Sequence, residues 1–113
     1  MSGLVLKLRH APAVRLDLKG LLPSKLAGHS LGTIEHLPLI TEDGHGKLAD
    51  YFAVSGSPGE HIVIEGSTDR LDFIGNDMDG GKILVAGDAG AYAGAGMRNG
   101  RICLLYTSDA ADE

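Results

Sequence analysis

The residues best equipped for chemistry lie between Gly75 and Lys82. Asp77-Met78-Asp79-Gly80 has the alternating carboxylates and turn glycine of a calcium loop. The pattern fails at both ends. With Gly80 as the sixth loop residue, the first is Gly75 and the twelfth, where a bidentate glutamate must stand, is Ala86. These acids are expected to be solvated corner residues. Gly80-Gly81-Lys82 after Gly75 imitates a phosphate loop, but Ile83 replaces the hydroxyl that must reach magnesium, and no helical pattern follows. Lys82 is therefore expected on a solvated rim. Gly94-Ala95-Gly96-Met97-Arg98-Asn99 lacks the third glycine of a dinucleotide fingerprint and leads into a strand.

The other reactive side chains are scattered. His10, His29, His36, His45 and His61 have no chelating spacing, and Cys103 is the only cysteine, so neither a zinc site nor a disulfide can be built. Ser30, Ser55 and Ser57 stand in turn-like contexts without a nucleophile elbow. The expectation is that this segment carries no catalytic, cofactor-binding or metal residue.

The elements around these residues are more informative. A chain of 113 residues suits one core, and 43% hydrophobic with 22% charged residues is the composition of a folding chain. No run approaches the roughly 18 apolar residues of a membrane span, and the first ten residues lack a signal peptide's apolar centre. A cytoplasmic protein without a membrane segment is expected. The net charge is −5 with no basic block beside aromatics, which argues against nucleic acid as a partner. Residues 103–113, Cys-Leu-Leu-Tyr-Thr-Ser-Asp-Ala-Ala-Asp-Glu, break the glycine rhythm before them and resemble the translation of a transposon-type sequencing adapter. They are expected to be a non-native tail, with the natural protein continuing beyond Ile102. Setting aside Asp109, Asp112 and Glu113 brings the net charge from −5 to −2.

Six glycines fall in residues 1–55 and eleven in 56–100, which divides the chain into an N-terminal region, 1–55, and a repeating region, 56–102. In the first, Leu4, Leu6 and Leu8 alternate with Val5, Lys7 and Arg9, and Leu16-Asp17-Leu18 repeats the pattern, so two half-buried strands are predicted. Pro23 to Gly28 reads as a helical turn. Ser30 is positioned to cap a second turn through Thr33 to Leu37 before Pro38. Glu42 to Gly46 reads as a loop, and Leu48 to Val54 as a strand leading into the loop Ser55 to Gly59.

The second region repeats itself. Ile74 to Ile83 aligns with Ala93 to Ile102 at an offset of 19, pairing Gly75 with Gly94, Met78 with Met97, Gly80 with Asn99, Gly81 with Gly100 and Ile83 with Ile102. Ile62-Val63-Ile64-Glu65-Gly66 aligns with Ile83-Leu84-Val85-Ala86-Gly87 at an offset of 21. A period near twenty with β-branched runs and glycine corners predicts a right-handed β-helix, a solenoid with coils of about 19–21 residues, after a small mixed α/β segment. Glycine suits corners that need positive φ, and Asn99 is expected to tolerate the same conformation. Met78 and Met97, with Ile64, Ile83, Val85 and Ile102, are expected to stack inside the coils. About two coils would be present, fewer than a solenoid generally needs, so the 113 residues alone are expected to be prone to aggregation.

Gly87-Asp88-Ala89-Gly90-Ala91-Tyr92-Ala93-Gly94-Ala95-Gly96-Met97-Arg98-Asn99-Gly100-Arg101-Ile102, with the spacing G-x-x-G-x-x-x-G on Gly87, Gly90 and Gly94, resembles the C-type component of formylmethanofuran dehydrogenase. The motif is shared with the C-terminal β-helix domain of the glutamate synthase large subunit. The N-terminal region narrows the resemblance: Leu4 to Leu8, Leu26-Ala27-Gly28, Ile34-Glu35-His36-Leu37-Pro38-Leu39 and Asp50 to Gly56 are similar to the bacterial form, from the formyltransferase/hydrolase complex of methylotrophs. Asn99 in place of a glycine and a long 67–74 corner with Asp69, Arg70 and Asp72 are departures.

This resemblance implies a non-catalytic scaffold subunit packed against A, B and D subunits. It implies no cofactor on this chain. Methanofuran, tetrahydromethanopterin, a divalent metal held by the A-type partner, and molybdopterin or tungstopterin in dehydrogenase forms would belong to the parent complex. The alternatives are a piece of the glutamate synthase domain, which Met1 as a start argues against, and a stand-alone β-solenoid binding module.

Overall fold

The computed structural model describes residues 3–10, 12–42 and 44–105. β1 (Leu4–Leu8) follows from its alternation, burying Leu4, Leu6 and Leu8 while Lys7 faces out. After the short β2 (Leu16–Asp17), α1 (Pro23–Leu26) opens on a proline. In α2 (Leu31–Glu35) the Ser30 hydroxyl accepts from the Thr33 N–H at 3.2 Å. Pro38 then begins β3 (Pro38–Thr41).

Two expectations are corrected in the next stretch. The segment read as the Glu42–Gly46 loop turns at Glu42, but Gly44 onward forms β4 (Gly44–Lys47), an antiparallel partner of β3. Glycine at 46 marks a close approach, since a Cβ there would stand 3.1 Å from the Asp50 carboxylate. The strand read over Leu48 to Val54 begins instead as a helical turn, α3 (Leu48–Tyr51), because Asp50 accepts from the Lys47 N–H at 3.0 Å and offers the backbone a local bond before the sheet does. The strand follows as β5 (Phe52–Gly56). The chain ends in β6 (His61–Ser67), β7 (Leu71–Asp72), β8 (Asp79–Gly87) and β9 (Asn99–Leu105). β9 runs through Cys103 into the segment read as a tail, and residues 106–113 lie outside those described.

The fold is mainly β, with two mixed sheets ordered β5-β1-β6-β8-β9 and β4-β3-β2-β7. In the first, β1, β6, β8 and β9 are parallel, in a register that sets Leu4, Ile62, Ile83 and Ile102 side by side, and Leu6, Ile64, Val85 and Leu104 beside them. In the second, β2 and β7 are parallel with Leu16 opposite Leu71. β5 on β1, β3 on β2 and β4 on β3 are antiparallel, a departure from the all-parallel stacking of a bare solenoid. The antiparallel strands come from residues 38–56, which fold back over the start of the parallel stack and cover its first layer. Strands from both sequence regions therefore share both sheets.

The core lies between the sheets, where Leu6, Ile62, Ile64, Leu71, Ile83 and Val85 are buried. Ile64 sits between Leu6 and Val85 in the ladder and is 2% exposed. Ile64→Ala is expected to cost about 2–4 kcal/mol, because the neighbouring strands cannot close the cavity without losing register. Urea unfolding of the two proteins measures the difference.

Candidate functional site

Beyond β7 and β8 the chain turns twice in the same way. The φ angles are 60° at Phe73 and 63° at Tyr92, 73° at Gly75 and 77° at Gly94, 62° at Asp77 and 70° at Gly96. Each pair is 19 residues apart. Within the turns, Met78 N–H donates to the Gly75 carbonyl at 3.0 Å and Met97 N–H to that of Gly94 at 3.1 Å. Between them, Phe73 N–H donates to Ala91 O at 2.9 Å, Gly94 N–H to Ile74 O at 2.7 Å, Asp77 N–H to Ala95 O at 2.7 Å and Arg98 N–H to Met78 O at 2.8 Å. One turn thus satisfies the backbone of the next, as a ladder does for strands.

Ile64, Met78, Ile83 and Val85 are buried together, with Met97 and Ile102 half-buried against them. Gly75 packs where a Cβ would run into the Ile102 side chain. Gly66 makes a bulge in β6, and Gly87 closes β8 against the Ser67 backbone. Gly80, Gly81 and Gly100 lie within β8 and β9, not at corners. Asp79 pairs with Asn99 and Lys82 with Arg101, so Gly80 and Gly81 together face Gly100 across a bulge. The expectation for Asn99 is corrected here. It is opposite Asp79, has no positive φ, and donates from Nδ2 to Asp79 Oδ1 at 3.1 Å. Gly90 also lacks a positive φ. It is glycine because a Cβ would collide with the Asp72 carboxylate and approach the Asp69 and Leu71 carbonyls to 2.8 Å.

Asp72 is the polar centre of this region. Arg15 grips it with two bonds, Nε to Oδ2 at 2.8 Å and Nη2 to Oδ1 at 2.7 Å, and Nη2 also reaches the Asp69 carbonyl at 3.0 Å. The Ala91 N–H donates to Asp72 Oδ1 at 2.9 Å. One carboxylate in β7 therefore ties the start of β2 to the turn after β8. Arg15's bonds hold it below the usual carboxylate range against the opposing effect of burial, with help from the Ala91 N–H. Alongside, Lys19 Nζ lies 4.5 Å over the Phe73 ring, which stacks on Tyr92 at 5.1 Å between centroids. This column leaves only a faint trace in the sequence. Its signal was an aromatic pair at the repeat's own offset, one residue before the aligned block.

Among the described residues no three His, Cys, Asp or Glu side chains gather into a metal site, and no helix is long and apolar enough to cross a membrane. Ser30 is a helix cap, and His36 Nδ1 lies 2.8 Å from the Gly32 carbonyl at the end of the same turn. The concave surfaces are shallow. One of about 360 Å³ lies between Pro23, Glu60, Asp79 and Gly81, and an apolar one of about 460 Å³ lies between Met97, Ile102 and Leu104. What the arrangement offers is a surface held by backbone hydrogen bonds from turn to turn.

Two substitutions separate close approach from side-chain bonding. A Cβ on Gly100 would stand 2.8 Å from Gly81 O and 2.9 Å from Met78 Cε at a φ of 100°, so Gly100→Ala is expected to cost about 2 kcal/mol or more, and Asn99→Ala under about 1 kcal/mol. Denaturant midpoints measure both. Because the Asp72 pKa is lower folded than unfolded, its contribution is complete above the unfolded value and is lost as pH falls through the folded one. Asp72→Asn is expected to flatten the decline of melting temperature as pH falls below about 4, read by circular dichroism against the unaltered chain.

No protein-family model matches the chain. It is 36% identical over 101 residues to the C-type component of the tungsten-containing formylmethanofuran dehydrogenase 2 of Methanothermobacter marburgensis, covering 85% of this chain and 37% of that protein. It is 35% identical over 85 residues to the C-type component of the formyltransferase/hydrolase complex of Methylorubrum extorquens, covering 75% of this chain and 32% of that one. A crystal structure of the latter organism's formyltransferase/hydrolase complex with methylofuran contains a chain that superposes with a TM-score of 0.77 at 30% identity, over 88% of this chain and 45% of that chain. The chain thus spans about a third of the length of these curated relatives. Over that span, in sequence and in fold, it belongs to the family of C-type components of the formylmethanofuran dehydrogenases and formyltransferase/hydrolase complexes.

Proposed function

We propose that the chain is a structural subunit of a cytoplasmic formylmethanofuran dehydrogenase or formyltransferase/hydrolase complex, where it holds A-, B- and D-type subunits together during the interconversion of formyl-methanofuran and formate. The observation that carries this reading is the in-register stack of Leu4, Ile62, Ile83 and Ile102, continued by the two superposed turns, in a chain that superposes on one member of an assembly of several proteins. Such a stack presents fixed outward rows to neighbours without rearranging. Its 19- and 21-residue offsets support a right-handed β-helix whose first layer is β1 and β2 and whose N-terminal cap is the antiparallel strands. In this reading methanofuran, tetrahydromethanopterin, the divalent metal and any molybdopterin or tungstopterin are held by the partner subunits. The homologues favour it over a glutamate synthase domain or a stand-alone binding module.

The test is to express the complex with and without the gene for this chain and follow assembly by native mass spectrometry and each partner's activity separately. A scaffold predicts that the assembly falls into smaller pieces while the formyl-transfer and hydrolysis steps survive on the separated subunits. Loss of a chemical step with the remaining assembly intact would show a catalytic contribution instead.

A further inference from the structure

The outward face of the first sheet carries a pattern that folding alone does not account for. Opposite the buried row, the same register places Val5, Val63 and Leu84 side by side, all half-buried and none of them part of the core. Beside them runs a row of His61, Lys82 and Arg101, one from each of β6, β8 and β9. Like charges directly opposite each other in a ladder weaken it. The ion pairs among the described residues are Arg15–Asp72 and Lys19–Asp17, both on the other sheet, so no carboxylate among those residues pairs with Lys82 or Arg101 to offset the repulsion.

We propose that this face docks a partner subunit whose contact surface has an apolar strip flanked by a row of carboxylates. The flat apolar row supplies dry contact, and the basic row supplies charge complementarity, orientation and register. This inference rests on the subunit reading above and adds the face that is used and the chemistry it meets.

The experiment co-expresses the tagged chain with the other three subunits and quantifies what is retained after purification, for the unaltered chain, K82E/R101E, Leu84→Asp and the control Ile40→Asp. Ile40 is 58% exposed on the other sheet. Retention of one partner is expected to fall at least tenfold in K82E/R101E and in Leu84→Asp and to stay within twofold in the control. Retention unchanged in the first two, with the unaltered chain still holding its partners, would overturn the docking face and leave the subunit reading standing. Failure of the unaltered chain to retain any partner would overturn both. Should the reversals fail to fold by circular dichroism, K82Q/R101Q is expected to bind with a shallower salt dependence, and an unchanged salt dependence would overturn the proposal. A homodimer of the unaltered chain in sedimentation that K82E/R101E dissolves would overturn it too, by assigning the face to a second copy.

Discussion

Everything in this molecule depends on one register. Leu4, Ile62, Ile83 and Ile102 lie in a line across four parallel strands, and moving any strand by one residue would turn its apolar side chains outward and its Lys7, Lys82 or Arg101 inward. The connections, of unequal length, must therefore deliver each strand at the same phase. The 21 residues from Ile62 to Ile83 and the 19 from Ile83 to Ile102 do so because the difference is absorbed before the turns, around Ser67 to Asp72. Every later feature inherits its position from that line.

The turns between strands would be free of strain if they were all glycine, yet Phe73, Asp77 and Tyr92 hold left-handed conformations. A bulky side chain there costs of order 1 kcal/mol or more. The stacked rings, with Lys19 over that of Phe73, and the backbone bonds that run from turn to turn oppose that cost. Asp72 adds a side-chain tie, reaching back to Arg15 and forward to Ala91. Backbone polarity, aromatic contact and one carboxylate thus act on the same stretch of chain, so that stretch behaves as part of the stack and not as a loose connection.

Much of this was legible in the sequence for identifiable reasons. β1 was readable because strict alternation has one structural meaning, and the ladder because the β-branched runs align at offsets the sheet then uses. The α2 cap was readable because Ser30 stands where Thr33 can donate to it. What could not be read depended on residues far apart in the chain. Gly46 and Gly90 look like turn glycines but are small to admit the Asp50 and Asp72 carboxylates, and nothing local tells a glycine kept for space from one kept for φ. Asn99 was misplaced because alignment by identity set it against Gly80, whereas the bulge shifts its partner to Asp79. The mixed sheets were missed because antiparallel pairing of β3 and β5 with β2 and β1 leaves no periodic trace.

The same register also explains how a chain without a gathered set of reactive groups among its described residues can carry specific information. From β6 to β9 each residue's neighbours across the stack are residues 19–21 positions away, so a one-dimensional repeat is converted into rows across one face. Inward positions are constrained by packing and must repeat as Leu, Ile or Val. Outward positions have no such constraint, and where they nevertheless align by type, apolar beside apolar and basic beside basic, the pattern exceeds what stability asks for. Opposed cations on adjacent strands weaken the stack in isolation, and that cost is the reason for proposing that the outer rows meet a partner. In that proposal the buried register is the means by which those rows are kept straight.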